Sequence, residues 1–146
     1  MKAFIVGFNW GWQVAIIKKL NIEPVWWCSN DTGTSNLMPE SCRFIPVEKK
    51  IPGDYAGLGE QEPEYINDKI LFNDAGEIDK ILRFIRIRKD LYGVKLANDE
   101  GMSRRFVYKQ IAYFLSWIDK LNPDIVLFEH PPHLVDMYAI YFAAKK

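Results

Sequence analysis

The stretch Ala3-Phe4-Ile5-Val6-Gly7, followed by Phe8-Asn9-Trp10-Gly11-Trp12 and later by Val25-Trp26-Trp27-Cys28, decides the fold. The first and last runs are short, apolar and rich in residues that favour β-structure, so each predicts a buried strand. The middle run predicts a turn. Between the turn and the second strand we expect a helix, closed by Asn21 and Pro24 and marked by Val14, Ala15, Ile16, Ile17 and Leu20. This order is that of a right-handed βαβ unit with parallel strands.

Two further segments extend the predicted sheet. Arg43–Val47 predicts a third strand, and Asp124-Ile125-Val126-Leu127-Phe128 is the strongest strand signal in the sequence. Its continuous apolar run predicts burial on both faces, as in the interior of a parallel sheet. We therefore expect an α/β fold, namely a Rossmann-like three-layer domain with a mainly parallel sheet of about four strands.

Three helices are predicted in the second half of the chain. The first runs from Asp74 to about Tyr92, and its buried side is formed by Ile78, Ile81, Leu82, Ile85 and Leu91. Its opposite side holds two ion pairs with a spacing of four residues, Asp79–Arg83 and Arg86–Asp90. Ser103 is expected to cap the second helix. The third begins at Leu134 and is still apolar and periodic near Lys146.

Length and charge limit which domain organisations and which partners are possible. The 146 residues suit one domain, so 1–146 is expected to be a single Rossmann-like domain. Lys plus Arg and Asp plus Glu number 19 each, and this zero net charge gives no general case for nucleic-acid binding. The charges are unevenly placed, because 54–79 is acidic and 80–109 is basic. Each region is either a solvated face or a docking surface for a partner or for acidic lipid headgroups.

The cysteines and the apolar runs bear on metal binding and compartment. The sequence has two cysteines, Cys28 and Cys42, which are too few for a structural zinc site built on thiolates. The apolar run at the start is too short for a signal peptide, and no stretch approaches the roughly 20 apolar residues of a membrane span. We expect a cytoplasmic protein with reduced thiols, no metal and no bound cofactor.

In parallel α/β sheets, ligands bind beyond the carboxyl ends of the strands, where loops lead into helices. The first such loop, Gly7–Trp12, has glycines that allow a tight turn, and it precedes a helix N-terminus, which attracts anions. It lacks both the glycine spacing of the dinucleotide fingerprint and the Gly-Lys-Ser/Thr of a phosphate loop. Trp10 and Trp12 either offer flat faces to a sugar or a base, or pack against the edge of the sheet.

The second loop, Glu129–His133, contains both histidines of the sequence. His133 lies at the first turn of the last predicted helix, where the dipole favours a neutral imidazole that can act as a base. Glu129 is a further proton acceptor. The alternative is a rigid connection in which the histidines cap backbone groups. Because Glu129 and His130 are neighbours at a strand end, their side chains are expected to point in opposite directions, which argues against a metal site.

Three segments carry a resemblance to a known family, namely Leu121-Asn122-Pro123-Asp124-Ile125-Val126-Leu127-Phe128, Pro131-Pro132-His133 and Tyr138-Ala139-Ile140-Tyr141-Phe142-Ala143-Ala144-Lys145. They resemble the N-terminal, acceptor-side domain of glycosyltransferases of the GT-B architecture, and the likeness is greatest to enzymes of bacterial capsule and surface-polysaccharide synthesis. The resemblance implies two facing Rossmann-like domains, of which the C-terminal one, beyond residue 146, holds most of the nucleotide-sugar donor. This chain departs from better-known members by having tryptophans in its first loop, where glycines and a histidine often cluster.

The resemblance also implies roles for both loops. It makes His133 or Glu129 the catalytic base, and the residues that contact acceptor or donor would be Asn9, Trp10, Gly11, Trp12 and His130. The implied activity is sugar transfer from a nucleotide sugar to a glycan or lipid-linked acceptor. The chain alone would then be an inactive part of a longer protein, and its basic 80–109 region would be a candidate contact with the inner face of the membrane.

Two alternatives stay open. A freestanding Rossmann-like binding or interaction module would use the same shape without chemistry. A small-molecule enzyme such as a nucleotide hydrolase would use the same sheet edge, although the sequence has no recognisable phosphate loop or metal cluster.

Overall fold

The computed structural model describes residues 1–8, 11–29, 36–46, 75–132 and 135–145. Of the predicted site residues, Asn9, Trp10 and His133 lie outside these ranges, as does most of the acidic 54–79 segment. The strands are β1 (Lys2–Val6), β2 (Glu23–Ser29), β3 (Arg43–Pro46) and β4 (Ile125–Phe128). The helices are α1 (Gly11–Lys19), α2 (Ala75–Ile87), α3 (Lys89–Tyr92), α4 (Val94–Asn98), α5 (Glu100–Leu121) and α6 (Val135–Ala144).

The chain divides into two compact units. Unit 1 comprises Met1–Tyr55 and Trp117–Pro132, and it contains the four strands, α1 and the end of α5. Unit 2 comprises Ala56–Ser116 and His133–Lys146, and it contains α2, α3, α4, most of α5, and α6. Within the described ranges, every strand therefore belongs to unit 1, and unit 2 is helical.

The strands of unit 1 form one parallel sheet in the order β3-β2-β1-β4. β1 pairs with β2 on one side and with β4 on the other, while β2 also pairs with β3, and all three pairings are parallel. This confirms the predicted α/β class with a parallel sheet. Asn21 closes α1 in the left-handed region (φ +50°), and the next N–H, of Ile22, donates to the C=O of Ile17 at 3.1 Å.

Large side chains cover both faces of β1 and β2, because successive residues of a strand point to opposite faces. The core on the α1 side of the sheet includes Ala3, Ile5, Val14, Ile17 and Trp27. On the other face, Phe4 and Trp26 stack with their ring centroids 4.0 Å apart and their planes 9° from parallel. These two strands are buried on both faces, so the short apolar runs that predicted them reflect a central position in the sheet.

The prediction that β4 is buried on both faces is wrong. All four of its residues are only half-buried, because β4 lies at the edge of the sheet and pairs, among the described strands, with β1 alone. Ile125 and Leu127 pack against the core on the α1 side, in register with Ala3 and Ile5. The apolar run of β4 thus predicts a strand, but it does not predict whether the strand is central or at the edge of the sheet. Strand order depends on contacts between distant parts of the sequence.

The predicted helix from Asp74 to Tyr92 is interrupted. Four of the five residues of its predicted inner side are buried, namely Ile78, Ile81, Leu82 and Ile85. The fifth, Leu91, is 44% exposed and belongs to α3. Arg88, between the two helices, has φ −97° and ψ 53°, which is not helical. The helical period of α2 therefore does not continue into α3, and Leu91 turns outward.

The cap of α5 also differs from its prediction. The helix begins at Glu100, and Asp99 caps its first turn by accepting the backbone N–H of Met102 on Oδ1 at 2.8 Å. Ser103 lies inside the helix, where its hydroxyl donates to the C=O of Leu96 at 2.6 Å. The Ser103 cap is thus wrong, because an aspartate four residues earlier takes the capping role.

Two ion pairs of α2 reach across to α5, while a third, Lys80–Glu77, runs along α2 itself. Asp79 pairs with Arg104 at 3.2 Å, and Arg86 pairs with Glu100. They replace the predicted pairs Asp79–Arg83 and Arg86–Asp90. Spacing along one helix identified residues able to pair, but the neighbouring helix supplies the partners that they meet.

Two further expectations concern the membrane and the thiols. Within the described ranges, no helix combines the length and the apolar character that crossing a bilayer requires. Cys28 is buried and Cys42 is partly buried, and neither forms a disulfide bond with a described residue. Burial raises the pKa of Cys42 to about 12, so this thiol stays protonated at neutral pH.

Candidate functional site

The strand order creates a switch point between β1 and β4. From β1 the chain moves outward through β2 to β3, and it later returns to place β4 on the other side of β1. In open α/β sheets, the crevice beyond the carboxyl ends of the strands at such a point is the usual ligand site. The residues that follow the two strands here are Gly7 and Glu129.

The backbones of Gly7 and Glu129 extend the hydrogen bonding of the sheet by one residue. The Gly7 N–H donates to the C=O of Cys28 at 2.9 Å, and the Glu129 N–H donates to the C=O of Val6 at 3.0 Å. Both residues are therefore anchored to neighbouring strand ends. The sheet itself fixes the position from which the Glu129 side chain leaves the backbone.

Gly7 provides the space that the Glu129 side chain occupies. Its φ of +89° is a conformation that L side chains rarely adopt. A Cβ at this position would lie 3.3 Å from both Cβ and Oε2 of Glu129. The predicted turn at the start of the first loop thus requires a glycine at this position. At Gly11, by contrast, an added Cβ would meet nothing within 4 Å, so close approach does not require that glycine.

The Glu129 carboxylate is largely buried and is held from the opposite side by α1. Its side chain is 10% exposed, and its Oε1 accepts a hydrogen bond from Nε2 of Gln13 at 3.0 Å. Gln13 is itself 5% exposed and is the third residue of α1, so the carboxylate lies beside the first turn of that helix. The N-terminal end of a helix favours negative charge, and this first turn contains no acidic residue of its own.

His130 approaches the same carboxylate from the solvent side. Its Nε2 lies 3.6 Å from Oε2 of Glu129, and its side chain is 63% exposed. The expectation that these two side chains point in opposite directions is therefore wrong. The alternation of a strand ends with β4 at Phe128, and the bend that follows brings the two neighbours together.

The described end of the first loop is anchored to the core. The indole Nε1 of Trp27 donates to the C=O of Phe8 at 3.0 Å, and the two rings meet edge to face with centroids 6.2 Å apart. Trp27 is fully buried. The backbone just before the undescribed residues Asn9 and Trp10 is therefore held in place by the sheet core.

The remaining predicted site residues that the structure describes, Gly11 and Trp12, lie at the start of α1. Gly11 is its first residue, and Trp12 is 62% exposed. The alternative in which Trp12 packs against the sheet edge therefore does not hold, and its indole is open to solvent next to Gln13 in sequence. The structure thus brings together Gly7, Gln13, Glu129 and His130.

Gln13 was absent from the predicted site, although the sequence contains a signal for it. It is the one uncharged polar residue in the first two turns of a helix whose other inward positions, Val14 and Ile17, are apolar. A long amide on the buried side of a helix needs a hydrogen-bonding partner. That partner, Glu129, lies 116 positions away in the sequence, so no local pattern could identify it.

The arrangement offers one oriented carboxylate, one amide and one imidazole beyond the carboxyl ends of β1 and β4. Such groups can bind hydroxyls, and the carboxylate can accept a proton from one of them. A metal site would need at least three suitable ligands. The residues that the structure describes contain no group of three or more His, Cys, Asp or Glu side chains that could hold a metal ion.

Comparisons with known proteins return no match: no protein-family model fits the chain, and neither curated proteins nor solved structures contain a significantly similar one.

Proposed function

We propose that the sheet edge beyond β1 and β4 forms one wall of the active site of a GT-B-like glycosyltransferase, in which Glu129 accepts the proton of the attacking acceptor hydroxyl. The enzyme would transfer a sugar from a nucleotide-sugar donor to a glycan or lipid-linked acceptor in the cytoplasm. The proposal includes a Rossmann-like three-layer fold for this chain and a separate donor-binding domain in a longer protein. One observation carries it, namely the buried Glu129 carboxylate at the switch point of the sheet.

The partner of Glu129 suits this role. A general base must be fixed near the hydroxyl that it deprotonates, and it must stay able to take up a proton. Gln13 fixes Oε1 of Glu129 through a neutral amide at 3.0 Å. An arginine in the same place would hold the carboxylate as firmly and would make it a weaker base.

The start of α1 supports the proposal in a second way. The free N–H groups at a helix N-terminus stabilise negative charge, as develops on the leaving diphosphate when a sugar is transferred. The exposed indole of Trp12 lies in the same helical turn and offers an apolar face to a sugar ring. Asn9, Trp10, Gly11 and His130 complete the proposed substrate contacts, and His133 is the second candidate for the base.

The test is sugar transfer from a panel of nucleotide sugars to glycan and lipid-linked acceptors, measured with the protein expressed from its whole reading frame. Glu129→Gln keeps the shape and one hydrogen-bonding oxygen but removes the base. We expect kcat to fall about 100-fold or more while KM changes little. Glu100→Gln is the matched control, because Glu100 is an exposed carboxylate of unit 2.

An active Glu129→Gln variant would contradict the role of Glu129 as base. In that case, the same measurement on His133→Ala decides whether the second candidate supplies the base. If neither variant differs from the parent protein, the proposed chemistry is wrong for both candidate bases of the Glu129–His133 loop.

A second candidate function is a binding module that performs no chemistry. It is favoured by the contacts of the Glu129 carboxylate, since Oε1 accepts from Gln13 and Oε2 lies 3.6 Å from His130. A carboxylate held on both sides suits recognition of a ligand's hydroxyls as well as catalysis. Calorimetric titration with nucleotide sugars and oligosaccharides that gives Glu129-dependent binding without turnover would favour this module over the enzyme.

A further inference from the structure

A short segment of unit 2 exposes aliphatic and basic side chains together. Ile87 at the end of α2 is 68% exposed, Leu91 in α3 is 44% exposed, and Val94 at the start of α4 is 61% exposed. Residues 83–95 also contain five basic residues and one acidic residue. Folding normally withdraws aliphatic side chains from water, so three exposed ones within eight residues of a basic segment make that segment a candidate interaction site.

The exposure is fixed by the fold of this segment. Tyr92 points inward, where its hydroxyl accepts the backbone N–H of Val135 at 3.1 Å and its ring meets Phe84 and Phe106 edge to face. Gly93 follows with φ +80°, a conformation that suits glycine, and it separates α3 from α4. With Tyr92 anchored inward, Leu91 and Val94 are left on the outside.

The charges next to these aliphatic residues are of two kinds. Arg86 and Arg88 are paired with Glu100 and Asp90, respectively. Arg83, Lys89 and Lys95 are exposed, and none of them forms a salt bridge with another described residue. The single acidic residue of the segment is therefore already paired, and the charges of the segment that pair with no other described residue are all positive.

We propose that Ile87, Leu91 and Val94, with Arg83, Lys89 and Lys95, form a docking surface for an anionic lipid bilayer, here called the basic–aliphatic patch. Aliphatic side chains that insert at the headgroup boundary, with lysines that contact anionic headgroups, are the elements of interfacial membrane binding. Protein interfaces instead favour aromatic residues and are depleted in lysine. A nucleic-acid site would have no use for three exposed aliphatic side chains. The patch lies in unit 2, and its proposed role is independent of the chemistry at Glu129.

The test is flotation of the whole chain with vesicles of phosphatidylcholine alone and with vesicles that contain phosphatidylglycerol as about one third of the lipid. We expect binding to the anionic vesicles only, and we expect added salt to weaken it. Lys89→Glu with Lys95→Glu should reduce the partition coefficient by at least 20-fold, because each lysine near an anionic surface contributes about a five-fold factor and the glutamates add repulsion. Ile87→Ser with Val94→Ser should reduce it by about 10-fold or more.

Two control variants change the same properties elsewhere in the chain. Lys18→Glu with Lys19→Glu alters the net charge equally, and Ile16→Ser with Leu20→Ser removes two exposed aliphatic residues of α1. Both should bind the anionic vesicles within about two-fold of the parent chain. Circular dichroism and thermal melting check that all four variants are folded, as expected for substitutions at exposed positions.

Three results would overturn the proposal. The first is a parent chain that does not float with either kind of vesicle. The second is equal loss of binding in the patch variants and in their controls, which would indicate a non-specific charge effect. The third is loss with the lysine variants but none with Ile87→Ser and Val94→Ser, which would indicate a site for soluble polyanions.

Discussion

Two glutamates, Glu129 in unit 1 and Glu100 in unit 2, have opposite environments. The Glu129 side chain is 10% exposed and is held by the neutral amide of Gln13, whereas the Glu100 side chain is 56% exposed and pairs with Arg86 and Arg104. Arginines on a solvated surface hold a carboxylate in its charged form and contribute little to stability. A carboxylate that is largely buried costs more free energy to keep than an exposed one, which is why we propose a function for Glu129.

The same contrast separates the polar groups of the two regions. In unit 1, hydrogen bonds fix a few polar atoms between strand ends and the start of a helix. In unit 2, exposed side chains of α2 and α5 form a surface network of charges. We therefore expect substitutions at the polar groups of unit 1 to lower the free energy of unfolding. The effects of substitutions in the charged network of unit 2 should depend on pH and salt concentration.

The largest effect is expected at Gly7. Gly7→Ala forces a residue with a Cβ into φ +89° and brings that Cβ to 3.3 Å from Glu129, so we expect a loss of about 2 kcal/mol in the free energy of unfolding. Urea denaturation measures it. Gly11→Ala is the matched control, because it adds the same methyl group into open space, and we expect a change within about 0.5 kcal/mol. Equal losses in the two variants would mean that Gly7 is not under steric constraint.

A smaller effect is expected at the partner of Glu129. Gln13→Met removes the hydrogen bond and leaves a largely buried carboxylate without that donor, so we expect a loss of about 1.5 kcal/mol in the free energy of unfolding. Adding Glu129→Met should restore part of this loss, because two apolar groups of similar size can replace a buried polar pair. If the two substitutions are additive in a double-mutant cycle, then the bond seen here does not couple the two residues.

The change of thermal stability as pH is lowered tests the ion pairs of Glu100. Hydrogen bonding from Arg104, with the charge and hydrogen bond of Arg86, lowers the pKa of Glu100 in the folded state. A lowered folded pKa stabilises the protein above the unfolded pKa of a glutamate, and this contribution disappears as pH falls through the folded value. The difference in Tm between the parent protein and Glu100→Gln should therefore be largest near neutral pH and should shrink in acid and at high salt. A difference that stays constant with pH would contradict the pairing.

The smallest effect on stability is expected at alkaline pH and comes from Cys42. Because burial raises the pKa of its thiol to about 12, its stabilising contribution is complete below the usual thiol pKa and is lost as pH rises toward the folded value. Alkylation by iodoacetamide, followed site by site with mass spectrometry, should be slow in the native protein and should keep rising with pH beyond 9, the value for an unperturbed thiol. A plateau near that value would show that Cys42 is not desolvated.

Sequence reasoning succeeded where neighbouring residues decide the structure. The βαβ order, the close of α1 at Asn21 and the inner side of α2 follow from strand and helix periods and from turn residues. No comparable sequence signal marks the break between α2 and α3 at Arg88, because the pattern of basic and apolar residues continues unchanged through it. Leu91 was therefore assigned to the wrong side.

The candidate site was only partly visible in the sequence. Glu129 and His130 could be singled out because they follow an apolar run, but their mutual approach depends on a bend after β4. Gln13 was missed because its partner is distant in the chain, and the edge position of β4 was missed for the same reason. Asn9, Trp10 and His133, which lie outside the described residues, stay predictions.

The two ladder bonds at Gly7 and Glu129 have a consequence for the dynamics of the site. Since the Glu129 N–H is bonded to Val6 and the Gly7 N–H to Cys28, neither amide can exchange with solvent deuterium unless the strand ends separate. We expect both to exchange as slowly as the amides within β1, even though they lie in loops. The backbones of Gly7 and Glu129 would then separate only when the sheet frays, and the lifetime of their geometry would be that of the sheet.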